Sequence, residues 1–310
     1  MKQTKILFLG LGGVGGYYGG KMAKRYVRSD DVKIYFIARG EHLKAICEKG
    51  LRVITDEDEF IAKPIIATDN PTEIGIVDYV ILSTKSYDLG SSIESVLSCI
   101  DKNTVILPLL NGGDITERIR EILPENTVWS GCSYIVSRRV EPGVIHKMGT
   151  PEKLVFGYNK GVSEQRHTFE KLLKDAEIDV VCPENIRDSI WKKFYFISVS
   201  ASLTSYLNVS FNELVDTDER REMASEMAEE FLNVAKAEGI NMGKNSRDDV
   251  LSRSEALPKD TTTSMHSDFK AGNRTEVETL TGVVVRLALK HGISVPLYEK
   301  VYEKLKKRSK

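Results

Sequence analysis

Lys5-Ile6-Leu7-Phe8-Leu9-Gly10-Leu11-Gly12-Gly13-Val14-Gly15 is the stretch whose reading decides the fold. The first five residues form an apolar run of strand type. They lead straight into a G-x-G-x-x-G turn, and a helix-compatible stretch opens at Gly16-Tyr17-Tyr18. Strand, glycine turn and helix in that order make the dinucleotide-binding fingerprint. Gly10 permits the tight turn. A Cβ at Gly12 would block a pyrophosphate, and Gly15 lets the helix pack close to the strand. Leu11, Gly13 and Val14 complete the loop, and the N–H groups of the helix N-terminus face the phosphates.

The next apolar segment, Val32-Lys33-Ile34-Tyr35-Phe36-Ile37-Ala38, reads as a buried parallel strand. An NAD-binding chain usually ends this strand on Asp or Glu, which takes the ribose 2′-hydroxyl. Here the strand ends on Arg39-Gly40, and Asp30 and Asp31 stand at its other end. A cation there suits a 2′-phosphate, so the expected cofactor is NADP(H).

Bulk properties narrow the class. The chain has 310 residues, a net charge of −1, 41% hydrophobic and 29% charged residues. That length suits two domains with a sizeable core. The charge offers no field for nucleic acid or a membrane surface. No apolar run reaches the length of a membrane span, and the first twenty residues read as a strand and glycine turn rather than a leader. Cys47, Cys99, Cys132 and Cys182 are scattered, without C-x-x-C, as in a reduced cytoplasmic protein. The five histidines form no ligand pair at helical spacing, so no metal is expected.

Strands and helices alternate through the first half. Strands are expected at 51–54, 65–67, 77–83, 104–110, 128–134, 143–147, 154–157 and 179–182. Helices are expected at 41–49, 90–100, 115–122 and 164–176. This is a Rossmann-type, doubly wound α/β domain over residues 1–184. Beyond Pro183-Glu184 the periodicity turns helical, with Ile186, Ile190, Phe194, Ile197 and Ala201 on one stripe. Asp216 with Glu219, and Thr275 with Glu278, have capping-box spacing, and Pro296 suits the opening of a last helix. Residues 185–310 are therefore expected to form an all-helical domain, with 252–263 its most loop-like part. Catalytic side chains should come from this domain or from strand ends of the first.

Four more segments carry a family likeness. They are Ser83-Thr84-Lys85-Ser86; Leu110-Asn111-Gly112; Trp191-Lys192-Lys193-Phe194; and Ser264-Met265 with Asp268, running through Arg274-Thr275-Glu276 to His291-Gly292 and Pro296. With the glycine turn they resemble the ketopantoate reductase (2-dehydropantoate 2-reductase) family across nearly the whole chain. The resemblance implies NADPH-dependent reduction of 2-dehydropantoate to pantoate, a step of pantothenate and coenzyme A synthesis. It makes Lys193 the general acid and Glu276 its catalytic partner. It gives Asn111 to cofactor and substrate, Ser264 to the substrate, Lys85 to the cofactor and Arg39 to the 2′-phosphate. The expected partner is a small 2-oxo acid, with no nucleic acid and no membrane, and a homodimer is compatible. Trp191 is assigned to packing.

The likeness breaks on the lysine helix. The family carries asparagines four and eight residues after the lysine and another further on; here these positions are Ile197, Ala201 and Phe211. Ser198 and Ser200 neighbour them, but helical spacing points both elsewhere. A paralogue reducing a different 2-oxo acid is thus the first alternative. A catalytically silent NADP(H)-binding sensor is an alternative of another class, opposed by the retention of Lys193 and Glu276. A β-hydroxyacid dehydrogenase fits the C-terminal pattern less well.

Overall fold

The computed structural model describes residues 3–158, 163–244 and 247–309. The chain divides into two compact units, 1–110 with 115–186, and 111–114 with 187–310. The first contains, in order, β1 (Thr4–Leu9), α1 (Gly13–Tyr26), β2 (Val32–Ile37), α2 (Gly40–Lys49), β3 (Leu51–Ile54), β4 (Glu59–Ala62), β5 (Ile66–Thr68), β6 (Tyr79–Leu82), α3 (Leu89–Glu94), β7 (Val105–Pro108), α4 (Ile115–Ile122), β8 (Ser130–Glu141), β9 (Val144–Gly157), α5 (Glu164–Asp175) and β10 (Val180–Val181).

Five of these strands form a parallel sheet in the order β5-β2-β1-β6-β7. Both faces are covered, which is why β1 is apolar without a break. Its Ile6 and Phe8 enter one core cluster, and Leu7 and Leu9 the other. The chain runs outward from β1 to β5, then returns to the other side of β1 as β6. The switch point lies between β1 and β6, where such sheets form a crevice at their carboxyl ends.

The remaining strands do not extend this sheet. They form a second one, β10-β9-β3-β4, with β8 paired antiparallel to β9. One doubly wound sheet is therefore an incomplete description of the first half. β8 and β9 make a long hairpin, continuous through residues 147–154, where two separate short strands were expected. Helix α1 lies between the two sheets. A Cβ on Gly19 would meet Phe8 and Phe36 at 3.1 Å on one side, and a Cβ on Gly20 would meet Val53 at 2.7 Å on the other.

The second unit takes in most of α6 (Ile186–Leu207) and all of α7 (Phe211–Leu214), α8 (Asp218–Ala237), α9 (Asp249–Glu255), α10 (Ser264–Lys270), α11 (Val283–His291) and α12 (Pro296–Arg308). Its core joins Trp191, Phe194, Tyr195 and Phe231 to Val284, Tyr298 and Val301. Trp191 packs against Phe194 and Phe231, as its assignment to packing requires. A π-turn, Glu278–Gly282, runs into α11. Among the described residues no helix is long and apolar enough to cross a membrane.

Local details depart from the sequence reading. Thr217, not Asp216, caps α8, while Asp216 pairs with Arg220 at 2.7 Å. Thr275 does not form a capping box with Glu278: its hydroxyl meets that of Ser309 at 2.9 Å, and Glu278 accepts from the Tyr302 phenol at 2.7 Å. The box that does form joins Ser210 and Glu213. The helix expected at 90–100 ends at Glu94, with a 3₁₀ turn at Leu97–Cys99. Helix α9 takes the start of the stretch read as loop.

The Gly20 contact gives a test. Gly20→Leu is expected to destabilise the protein by about 1–3 kcal/mol through overpacking against Val53, despite the better helix propensity of leucine. The urea midpoint measures it; an unchanged or raised midpoint would contradict the packing described.

Candidate functional site

The fingerprint loop sits at the switch point. Gly10 has φ +94°, which a side chain resists, and a Cβ there would lie 2.7 Å from the Ser83 carbonyl carbon. A Cβ on Gly15 would collide with the Gly10 carbonyl oxygen. These two glycines set the close packing of β1, α1 and the end of β6. Gly12 differs: a Cβ there would meet nothing within 4 Å. Its lack of a side chain leaves room in front of the helix rather than relieving an internal clash. No side chain caps α1, and Gly16 is the residue that donates back to the Gly12 carbonyl, at 2.8 Å. The amides of Gly13, Val14 and Gly15 thus precede the intrahelical ladder. Gly13 also touches β8, where its carbonyl accepts from Ser137 Oγ at 3.0 Å.

The end of β6 contributes Ser83 and Thr84. Both hydroxyl oxygens are buried and have no hydrogen-bond partner among the described residues. Unmet hydroxyls beside an open, uncapped helix N-terminus at a switch point suit a dinucleotide phosphate. Lys85 follows, half-buried, as the N-cap of a 3₁₀ turn. Arg39 is the N-cap of α2 at the carboxyl end of β2, exposed, with no side-chain bond among the described residues.

One residue of this loop's surroundings escaped the sequence reading. His42, on α2, is 6% exposed. Its Nε2 lies 2.9 Å from the Leu11 carbonyl oxygen, and its Nδ1 accepts the Gly143 amide at 2.8 Å. One nitrogen must donate and the other accept, which describes a neutral imidazole. Burial, helped by the positive charge of Arg139, holds its pKa below the ordinary 6.5. The side chain ties the middle of the fingerprint to the β8–β9 turn, 101 residues away.

In the second unit the helical side chains converge on α6. Lys193 Nζ donates to Asn111 Oδ1 at 2.8 Å, so two residues 82 apart in sequence meet directly. Glu276 is buried, and its carbonyl accepts from the Leu280 amide at 2.9 Å, which sets it at the start of the π-turn. Ser264 is exposed in the first turn of α10. It is not the cap; Thr263 is, accepting from the His266 amide.

What ties these elements to α6 is a run of buried hydroxyls. Ser198 Oγ donates to the Leu280 carbonyl at 2.5 Å, and Ser202 meets Thr281 at 2.7 Å. Both bonds reach the π-turn that follows Glu276. Thr204 meets Thr263 at 2.9 Å, beside Ser264. Ser200 bonds back to the Phe196 carbonyl. The hydroxyls of Ser198 and Ser200 are therefore committed away from Ile197 and Ala201, as helical spacing implied. Phe211 stacks on Phe196, with centroids 5.8 Å apart. Among the described residues no group of three or more His, Cys, Asp or Glu is placed to hold a metal.

Comparison with known proteins agrees across both units. Residues 6–161 match the family model Ketopantoate reductase PanE/ApbA, and residues 185–309 match Ketopantoate reductase PanE/ApbA C terminal. The chain belongs to the ketopantoate reductase family. It is similar to a 2-dehydropantoate 2-reductase structure from Porphyromonas gingivalis, at 36% identity and TM-score 0.85, over 98% of this chain and 99% of that one. It is 27% identical to the uncharacterized oxidoreductase YkpB of Bacillus subtilis, over 97% of each chain. It is 26% identical to a Streptococcus pyogenes 2-dehydropantoate 2-reductase, over 96% of this chain and 95% of the relative. Members of this family are NAD(P)H-dependent oxidoreductases.

The His42 tether has a pH signature. Its folded pKa lies below the unfolded value, so the unfolded chain binds the extra proton more readily. The tether's stabilisation is present above about pH 6.5 and declines as pH falls through the folded pKa. Urea unfolding at pH 7.5 and 5.5 should show a loss of stability on acidification that is smaller in His42→Gln. Equal losses in the two proteins would show that His42 does not titrate as described.

Proposed function

We propose that this protein uses NADPH to reduce a small 2-oxo acid to its 2-hydroxy acid, with 2-dehydropantoate, giving pantoate, as the leading substrate. The observation that carries the reading is the 2.8 Å contact between Lys193 and Asn111, two residues that match the family's motif positions. NADPH supplies the hydride when bound. Lys193 holds the proton: its ammonium polarises the ketone oxygen and then gives that proton to the alkoxide. Asn111 Oδ1 orients the ammonium through the hydrogen bond already made. Glu276 steadies the ammonium or takes a substrate hydroxyl, and Ser264, exposed at the start of α10, is suited to the substrate carboxylate. The Gly10–Gly15 loop and Lys85 serve the cofactor, and Arg39 takes the 2′-phosphate. The four free cysteines fit a cytoplasmic setting.

A second reading rests on α6. Ile197 and Ala201 follow Lys193 at helical spacing, and the neighbouring serine hydroxyls are used elsewhere. That pattern favours a 2-oxo acid other than 2-dehydropantoate. Losing one hydrogen bond to a buried substrate hydroxyl costs about 1–3 kcal/mol.

Turnover of 2-dehydropantoate and a panel of other 2-oxo acids, followed by NADPH absorbance, separates the readings. Lys193→Ala should lower kcat by about 10²- to 10⁴-fold on whichever acid is turned over. NADPH binding without turnover of any 2-oxo acid would favour a silent sensor and sink the reductase reading. For the cofactor, Arg39→Ala should raise the KM for NADPH by about 10- to 100-fold, the worth of a charge-assisted bond to phosphate, with little effect on NADH. Equal effects on both cofactors would remove Arg39 from the 2′-phosphate.

A further inference from the structure

A cavity of about 760 Å³ lies in the first unit, walled by the later turns of α1, the β3–β4 turn and β9. Its helix wall includes Lys21 and Lys24, which begin about 12 Å along α1 from the fingerprint end at 1.5 Å per residue. It is therefore separate from the nucleotide loop.

Lys147 sets its character. Ile145, two residues earlier on β9 and so on the same face, packs on α1 at Gly16. Lys147 follows it inward and is only 9% exposed, yet it lines the cavity. Its ammonium has no hydrogen bond or ion pair among the described residues. The other cations around the cavity are engaged. Lys21 donates to Glu152 at 3.1 Å and to the Glu177 carbonyl. Lys24 pairs with Asp58 at 3.5 Å and stands 4.3 Å over the Phe60 ring. Arg25 donates to the Asp175 carbonyl at 2.9 Å. The nearby acids are engaged too: Glu152 and Asp58 in those pairs, and Asp56 by the Gly149 amide at 2.6 Å.

Lys147 is largely covered as a residue while its ammonium has no paired counter-charge among the described residues, and an anion bound in the cavity would supply that partner. The rings of Tyr17 and Phe60 offer the same space apolar surface. The exposed carboxylates of Glu57 and Glu177 at the rim oppose a multiply charged guest. The volume is that of a small-molecule site. We infer that this cavity binds a small organic carboxylate with an apolar or aromatic body, its single negative charge paired with Lys147.

Calorimetric titration with benzoate, hexanoate and inorganic phosphate, in the absence and presence of saturating NADPH, tests this without any turnover. The proposal expects one benzoate or hexanoate site, unaffected by NADPH and better than phosphate. It expects binding at least tenfold weaker in Lys147→Met and within threefold of wild type in Lys147→Arg. If Lys147→Met does not fold, Glu57→Lys, at an exposed position, should tighten benzoate at least threefold. Undiminished binding in folded Lys147→Met, no change in Glu57→Lys, displacement by NADPH, preference for phosphate, or no carboxylate binding each overturns it. Because no step depends on reduction of a 2-oxo acid, failure here and failure of the reductase reading are distinguishable.

Discussion

The first unit depends on α1 being held between two sheets. Gly19 brings it against Phe8 and Phe36 of the parallel sheet, and Gly16 and Gly20 bring it against Ile145 and Val53 of the second. A helix covered on both sides has little freedom to tilt or slide, because interiors pack as densely as crystals. The position of its N-terminus, and so of the fingerprint loop, follows from that packing. The His42 bonds to Leu11 and Gly143 act in the same sense at the loop itself, joining it to the second sheet's hairpin.

The second unit uses a different device. Its central helix α6 carries Ser198, Ser200, Ser202, Thr204 and Ser205 at almost zero exposure. Buried hydroxyls are costly unless bonded, and four of these reach named partners, three of them on other elements, while the Ser205 hydroxyl has none among the described residues. Directional bonds fix the rotation of a helix about its axis more tightly than apolar contact does. The face presented by Lys193 is set in this way against the segments that bear Glu276 and Ser264.

Much of this was legible in the sequence. The parallel strands announce themselves because two covered faces demand unbroken apolar runs, and the glycine turn follows the first of them. The second sheet was harder to see. The outer parts of β8 and β9, with Ser137-Arg138-Arg139 and His146-Lys147, are polar or mixed, and β4 is short and largely exposed. The capping errors have a common cause. Asp216 was drawn to Arg220, Thr275 to Ser309 and Glu278 to Tyr302, and the last two partners lie far along the chain. Of the candidate site, the motif residues could be named, and the family likeness made Glu276 the partner of Lys193. The direct meeting of Lys193 with Asn111 could not be read from spacing. His42 gave no signal at all, since a lone histidine in a short amphipathic helix looks like any surface residue.

The two-sided burial of α1 also sets an order of assembly. The parallel sheet can close once β7 has left the ribosome. At that stage α1 still shows water the face later covered by Ile145, and the fingerprint loop lacks the Gly143 end of its tether. Lys21 waits longer still for Glu152, 131 residues downstream. Contacts of such separation form late, after the entropy of closing long loops has been overcome. A nascent chain of about a hundred residues would therefore carry a recognisable nucleotide motif on an unfinished and adhesive surface, the kind of intermediate that chaperones hold.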